Sequence, residues 1–140
     1  MPVRVQNWDT ELFRWARGMA GRSFVWGDTD CGSLVRGAVS IMYAGAITFD
    51  DVRYASRDEA MQVHEATGGV EAVLRASGAV EVPIAFLQQG DIVIESEPDE
   101  NGLPSAGICV GSTILVSNVR AGVGFAPIPV NAVVLRYPNG

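Results

Sequence analysis

Apolar residues recur every three or four positions in the first half of this chain and mostly every two in the second. In "NWDTELFRWARGMAGRSF", Leu12, Phe13, Ala16 and Met19 share helical spacing behind Asp9 and Thr10 as cap residues. That spacing predicts a helix at about 10–20, ended by Gly21. A polar turn, "GDTD", leads into "CGSLVRGAVSIMYAG", where Leu34, Val35, Val39 and Met42 form a stripe for burial. With Asp30 as N-cap and Gly45 as stop, the second helix spans about 31–44. "SRDEAMQVHEA" and "VEAVLRAS" read as two shorter helices split by Gly68 and Gly69, and Ser56 with Glu59 has the spacing of a capping box.

After Ser77 the period changes. "AVEVPIAFL", "GDIVIES", "AGICV", "TILVSN", "GVGFAPI" and "NAVVLRY" are short, β-rich and separated by Gly, Pro, Asn or Asp. Gly111 and Ser112 between two apolar runs predict a tight hairpin turn, and "EPDENGLPS" (97–105) predicts an exposed polar loop. Helices first and strands after is an α+β order, and no linker interrupts it. The expectation is a single domain over 1–140, with N-terminal helices packed on a C-terminal antiparallel sheet.

Composition narrows the function classes. The chain has 140 residues, 48% of them hydrophobic and 19% charged, enough for a core without staples. Its net charge of -6 and scattered basic residues argue against a nucleic-acid surface. No window approaches a membrane span and "MPVRVQNWDTELFRW" lacks a signal-peptide pattern, so the expectation is a chain made and left in a cytoplasm, without membrane insertion. One histidine and two cysteines supply no convergent metal ligands, and no glycine-rich loop matches a phosphate cradle, so neither metal nor cofactor is expected. Trp8, Trp15 and Trp26 read as core or interface anchors rather than as a sugar platform.

The chemistry worth weighing gathers around Cys31. At the first turn of a helix, unpaired N–H groups favour a thiolate, while Asp28 and Asp30 oppose it with negative charge. A buried packing thiol is the competing reading. The surrounding segment "GDTDCGSLV" resembles the nucleophile box that opens the core helix of NlpC/P60 cysteine peptidases. "LQQGDIVIES" resembles that family's segment at the start of the sheet, and "SAGICVG" the strand that follows. The three boxes stand in the family's order, and the resemblance covers about Phe24 to Asn118. The helical insertion between them and the short length look most like the small NlpC/P60-like proteins of phage tail modules.

The resemblance implies a papain-like core, with the helix at about 31–44 packed on a C-terminal antiparallel sheet or half-barrel. It implies Cys31 at the nucleophile position, Ser105 at the position of the histidine base and Ser117 at the third polar position. A strict two-residue turn at Gly111 and Ser112 would instead set Asn118 opposite Ser105, because one step of register flips a side chain to the other face. A hydroxyl does not titrate near neutral pH, so Ser105 cannot serve as the base. His64 lies on the inserted helix, with no reason in the resemblance to reach Cys31. Asp28, Asp30 and Asp91 would disfavour the thiolate they were asked to form.

Two functions are then implied. One is a catalytically degenerate structural component of a phage or phage-derived tail tip or baseplate. It would be made in the host cytoplasm, carried in the virion tail and bound to hub and distal-tail proteins. The alternative is an active cysteine peptidase or amidase cleaving host peptidoglycan stem peptides during entry.

Overall fold

Asp30 caps the helix on which the sheet is laid. The structure is a computed structural model that describes residues 3–44, 53–99 and 102–138. Helix α1 is Trp8–Met19 and α2 is Cys31–Met42. Helix α1 starts earlier than the expected 10, because Asn7 takes the cap position in a left-handed conformation (φ 60°). Asp9 is inside the helix, where its carboxylate accepts the N–H of Thr10 at 2.9 Å. Helix α2 starts where Asp30 predicts, but it ends at Met42 rather than running to 44. Tyr43–Ala44 (β2) leaves the helical path to pair antiparallel with Val3–Arg4 (β1). The expected stop, Gly45, lies outside the described residues.

The insertion forms α3, Arg57–Thr67, and α4, Val70–Ala76. Ser56 caps α3 as its side of a capping box would: Oγ accepts the N–H of Glu59 at 3.1 Å, while the Glu59 carboxylate accepts the Ser56 hydroxyl at 3.3 Å rather than its backbone N–H. Gly68 ends α3 in the left-handed region (φ 87°), which separates the two helices as the glycine pair predicts.

Six strands form one antiparallel sheet: β3 Val80–Val82, β4 Ile92–Pro98, β5 Pro104–Val110, β6 Thr113–Asn118, β7 Gly122–Ala126 and β8 Val133–Arg136, in the order β3-β8-β4-β5-β6-β7. The described residues form an α+β fold with four α-helices. Two expectations shift. "AVEVPIAFL" is a strand only as far as Val82, after which Pro83 opens a 3-10 turn at Ile84–Phe86. The polar loop is shorter than 97–105, because β4 continues to Pro98 and β5 begins at Pro104; residues 100 and 101 lie outside the described residues.

Alternation divides the sheet into two faces. Ile92, Ile94, Ala106, Ile108 and Leu115 join Leu34, Val35 and Val39 of α2 and Leu12 of α1 in one buried cluster. The opposite face buries Val93, Cys109, Ile114 and Val134. Burying a side chain such as Leu34 stabilises the domain by about 2 kcal/mol, so the face of α2 from Leu34 to Met42 is a main source of cohesion.

Candidate functional site

The segment before α2 is built around the Asp30 carboxylate. Its Oδ1 accepts the N–H of Gly27 at 2.9 Å and the Ser33 hydroxyl at 2.6 Å, and its Oδ2 accepts the N–H of Ser33 at 3.4 Å. Tyr54 donates its hydroxyl to the same Oδ2. Thr29 secures the preceding turn, accepting from the N–H of Val25 and donating to the carbonyl of Ser23, both at 2.7 Å. Burial beside the Asp30 carboxylate pushes the Tyr54 phenol well above its ordinary value, so it stays a donor.

This frame sets Cys31 at the first position of α2, partly buried, with its thiol 3.9 Å from the carbonyl of Pro104 at the start of β5. The thiol is pushed up to about 11, chiefly by burial. The backbone N–H of Ala106 pulls it down, but Asp30 and Asp99 push it further up. No cation enters that balance, so the helix N-terminus alone does not make a thiolate here. Asp28, weighed beside Asp30 in the sequence, is exposed.

The other positions named by the resemblance do gather near Cys31. Ser105, Ser117 and Asn118 border a cavity of about 330 Å³ together with Cys31, Trp26 and Tyr54. The turn at Gly111 and Ser112 is a strict two-residue one, since Val110 pairs with Thr113 and Ile108 with Leu115. The β5–β6 pairing ends at Ile108 and Leu115; by alternation beyond it, Asn118 shares the face of Ile114, which pairs with Cys109. Ser117 turns to the face of Leu115, the face that α2 covers. The Asn118 side chain is committed to the next turn, where Oδ1 accepts the N–H groups of Arg120 at 2.8 Å and Ala121 at 3.0 Å. The Ser117 hydroxyl is buried and has no hydrogen-bond partner among the described residues.

A second, mostly apolar chamber of about 470 Å³ opens on the other side of the thiol, between α2, the α3–α4 pair and the starts of β4 and β5. Cys31, Tyr54 and Leu103 border both spaces. His64 also borders this chamber, so the insertion does reach the neighbourhood of Cys31, contrary to what the resemblance implies. Its imidazole lies against Gly69, where an added Cβ would come within 2.8 Å of the ring. His64 is not among the groups that act on the Cys31 thiol.

Other sequence candidates have structural roles. Asp91 is fully buried and accepts both arms of the Arg136 guanidinium, at 2.8 and 2.7 Å, plus the N–H of Gln88 at 2.8 Å. These contacts fix the start of β4 to the end of β8 and leave Asp91 unavailable as a base. Cys109 is buried away from α2 and its thiol is pushed up to about 11 by burial and by Asp91; both cysteines are free. Trp8 stacks under the Arg4 guanidinium at 3.8 Å and Trp15 lies over Gly37, so the tryptophans share no platform. Trp26 meets Phe24 edge-on at 4.8 Å between centroids and Tyr54 at 6.3 Å, forming an aromatic wall beside the thiol.

Among the described residues no group of three His, Cys, Asp or Glu is placed to hold a metal ion, and no helix is long and apolar enough to cross a membrane. The site is thus a two-chambered cleft on an α+β domain, with a protonated thiol at its waist. The family model described as "Domain of unknown function (DUF6950)" matches residues 3–136, and the chain belongs to that family. No curated protein matches it.

Sequence reasoning missed Tyr54, Asp99 and the α3–α4 chamber. Tyr54 sits in an unremarkable stretch of chain, and its only trace is indirect. Gly27 and Gly32 stand within the box, and a Cβ at either would run into Tyr54, the first into its carbonyl and the second into its hydroxyl.

Proposed function

We propose that this chain is a catalytically silent domain of the NlpC/P60, papain-like type, serving as a structural component of a phage or phage-derived tail tip or baseplate. The observation that carries the silent part is the setting of Cys31. Its thiol is held near 11 by burial, faces the negative charges of Asp30 and Asp99, and has serine where the resemblance calls for the histidine base. General-base assistance is worth a factor of about 10² to 10⁴, and here it is lost together with the imidazolium that would hold a thiolate. The order of the three sequence boxes, with a helix-start cysteine ahead of an antiparallel sheet, supports the papain-like assignment.

In this reading the chain is made in the host cytoplasm and joins the virion tail, where hub and distal-tail proteins are its partners. The alternative, a peptidase or amidase acting on peptidoglycan stem peptides, is favoured by one feature: Cys31 still borders open space on both sides of the site. Mass spectrometry of purified tails and a muropeptide-release assay on isolated walls separate the two. The structural reading expects the chain at fixed stoichiometry in tails and no release. Release that disappears in Cys31→Ala would establish the hydrolase, and absence of the chain from tails would remove the structural role.

A further inference from the structure

The two chambers meet at Cys31 and differ in character. On one side Val35, Val63, Val70, Val73, Ile94 and Ala106 enclose apolar space of about 470 Å³, within the range that holds a small ligand or a large side chain. On the other side the 330 Å³ space is more polar, bordered by Asp30, Asp99, Arg120 and hydroxyls beside the rings of Phe24 and Trp26; one of those hydroxyls is Ser117, whose buried oxygen has no partner among the described residues. A buried hydroxyl left unpaired costs about 1–3 kcal/mol, which a bound hydrogen-bonding group would recover. The α3–α4 pair that walls the apolar chamber is the insertion, outside the three boxes that carry the resemblance.

We propose that these chambers form one binding site for an extended peptide segment of a partner protein, held without cleavage. A large aliphatic or aromatic side chain enters the α3–α4 chamber, and the segment's backbone crosses Cys31 so that a main-chain amide meets Ser117 Oγ. Charge selects this ligand over other amphipathic ones. The polar chamber is bordered by two carboxylates, Asp30 and Asp99, against one guanidinium, Arg120, and this excess of negative charge disfavours the carboxylate of a fatty acid and tolerates a neutral amide. The inference rests on the silent-domain reading, because an active thiol would cut what the site holds.

The test uses the full ¹⁵N-labelled chain titrated by NMR with N-acetyl-leucine methylamide and N-acetyl-phenylalanine methylamide. N-acetyl-glycine methylamide and decanoate serve as controls. The two bulky amides are expected to shift the signals of α3, α4 and residues 103–106, and the controls are not. Val63→Trp, which fills the chamber, should abolish the shifts. Ser117→Ala should weaken binding about fivefold, the equivalent of one hydrogen bond. Its folded stability should hold or rise, since it removes an unpaired buried hydroxyl, and this keeps the test valid if Val63→Trp does not fold. No shifts with either amide, equal shifts with the glycine amide, or tighter binding of decanoate would overturn the proposal. Release of methylamine from a bound probe would overturn the silent-domain reading instead, and with it the claim that the segment is held uncut.

Discussion

The hydroxyl of Tyr54 donates to the carboxylate of Asp30, the residue that caps the helix beginning at Cys31. This contact ties a residue upstream of the α3–α4 insertion to the first turn of the central helix. It occupies the carboxylate that stands closest to the thiol in sequence. With four donated hydrogen bonds converging on one buried carboxylate, the helix start is firmly held.

Because the Tyr54 hydroxyl fills the space where a Gly32 side chain would stand, Gly32→Ala should destabilise the domain by about 1–3 kcal/mol, the range for overpacking. Combined with Tyr54→Phe, the same substitution should cost less than the sum of the two single changes, since the colliding oxygen is gone. Urea denaturation of the four variants in a double-mutant cycle reads this coupling. Strict additivity would mean that Tyr54 does not rest on Gly32.

The Cys31 thiol should alkylate slowly at neutral pH, with an apparent pKa near 11 in a Cys109→Ser background. The same shift makes stability depend on pH. Below about 9 both folded and unfolded chains keep the proton. Between about 9 and 11 the unfolded thiol has lost it while the folded one has not, so stability falls as pH rises through this window. The loss should reach about 2–3 kcal/mol for one thiol, and Cys31→Ala should flatten the curve by that amount relative to the parent in urea melts. A thiol that alkylates as a thiolate at pH 7 would contradict the setting described for Cys31.

Arg136→Met should cost about 3–5 kcal/mol, because it leaves the fully buried Asp91 without its counter-ion. Asp91→Leu combined with Arg136→Met should recover much of that loss, as buried ion pairs often exchange for apolar ones at little net change. Thermal melts decide it. If Arg136→Met alone is neutral, the pair contributes nothing to holding β4 against β8.

Leu34→Asp should prevent folding outright, since it puts a charge at a fully buried position of α2 against the sheet. Circular dichroism of the variant checks it. A folded Leu34→Asp would mean that this face of α2 is not in the core.

Much of the frame was legible because its causes are local. The Leu34, Val35, Val39 and Met42 stripe, the Asp30 and Ser56 caps, the Gly68–Gly69 break and the Gly111–Ser112 turn each depend on neighbours within a few residues. The departures have non-local causes. Tyr43 leaves the helix to pair with Arg4, 39 residues away, and no short window contains both strands. Near Cys31 the sequence anticipated that Ser105, Ser117 and Asn118 would share one neighbourhood, and the two-residue turn decided which of Ser117 and Asn118 faces α2. Tyr54 and the wall contributed by α3–α4 depend on tertiary packing, so only the glycines that make room for Tyr54 hinted at it.

Strand β7 is the last in the sheet, and Val123 bonds outward to the backbone of Gly21 and Arg22, at 2.8 and 2.9 Å. In an antiparallel ladder outward-pointing groups fall on alternate residues, so only Phe125 keeps an outward pair along this five-residue strand. The opposite border, β3, is three residues long. Neither rim therefore offers the run of open backbone that recruits strands from neighbouring molecules. Copies of this domain can crowd side by side at high local concentration without zipping into a fibre.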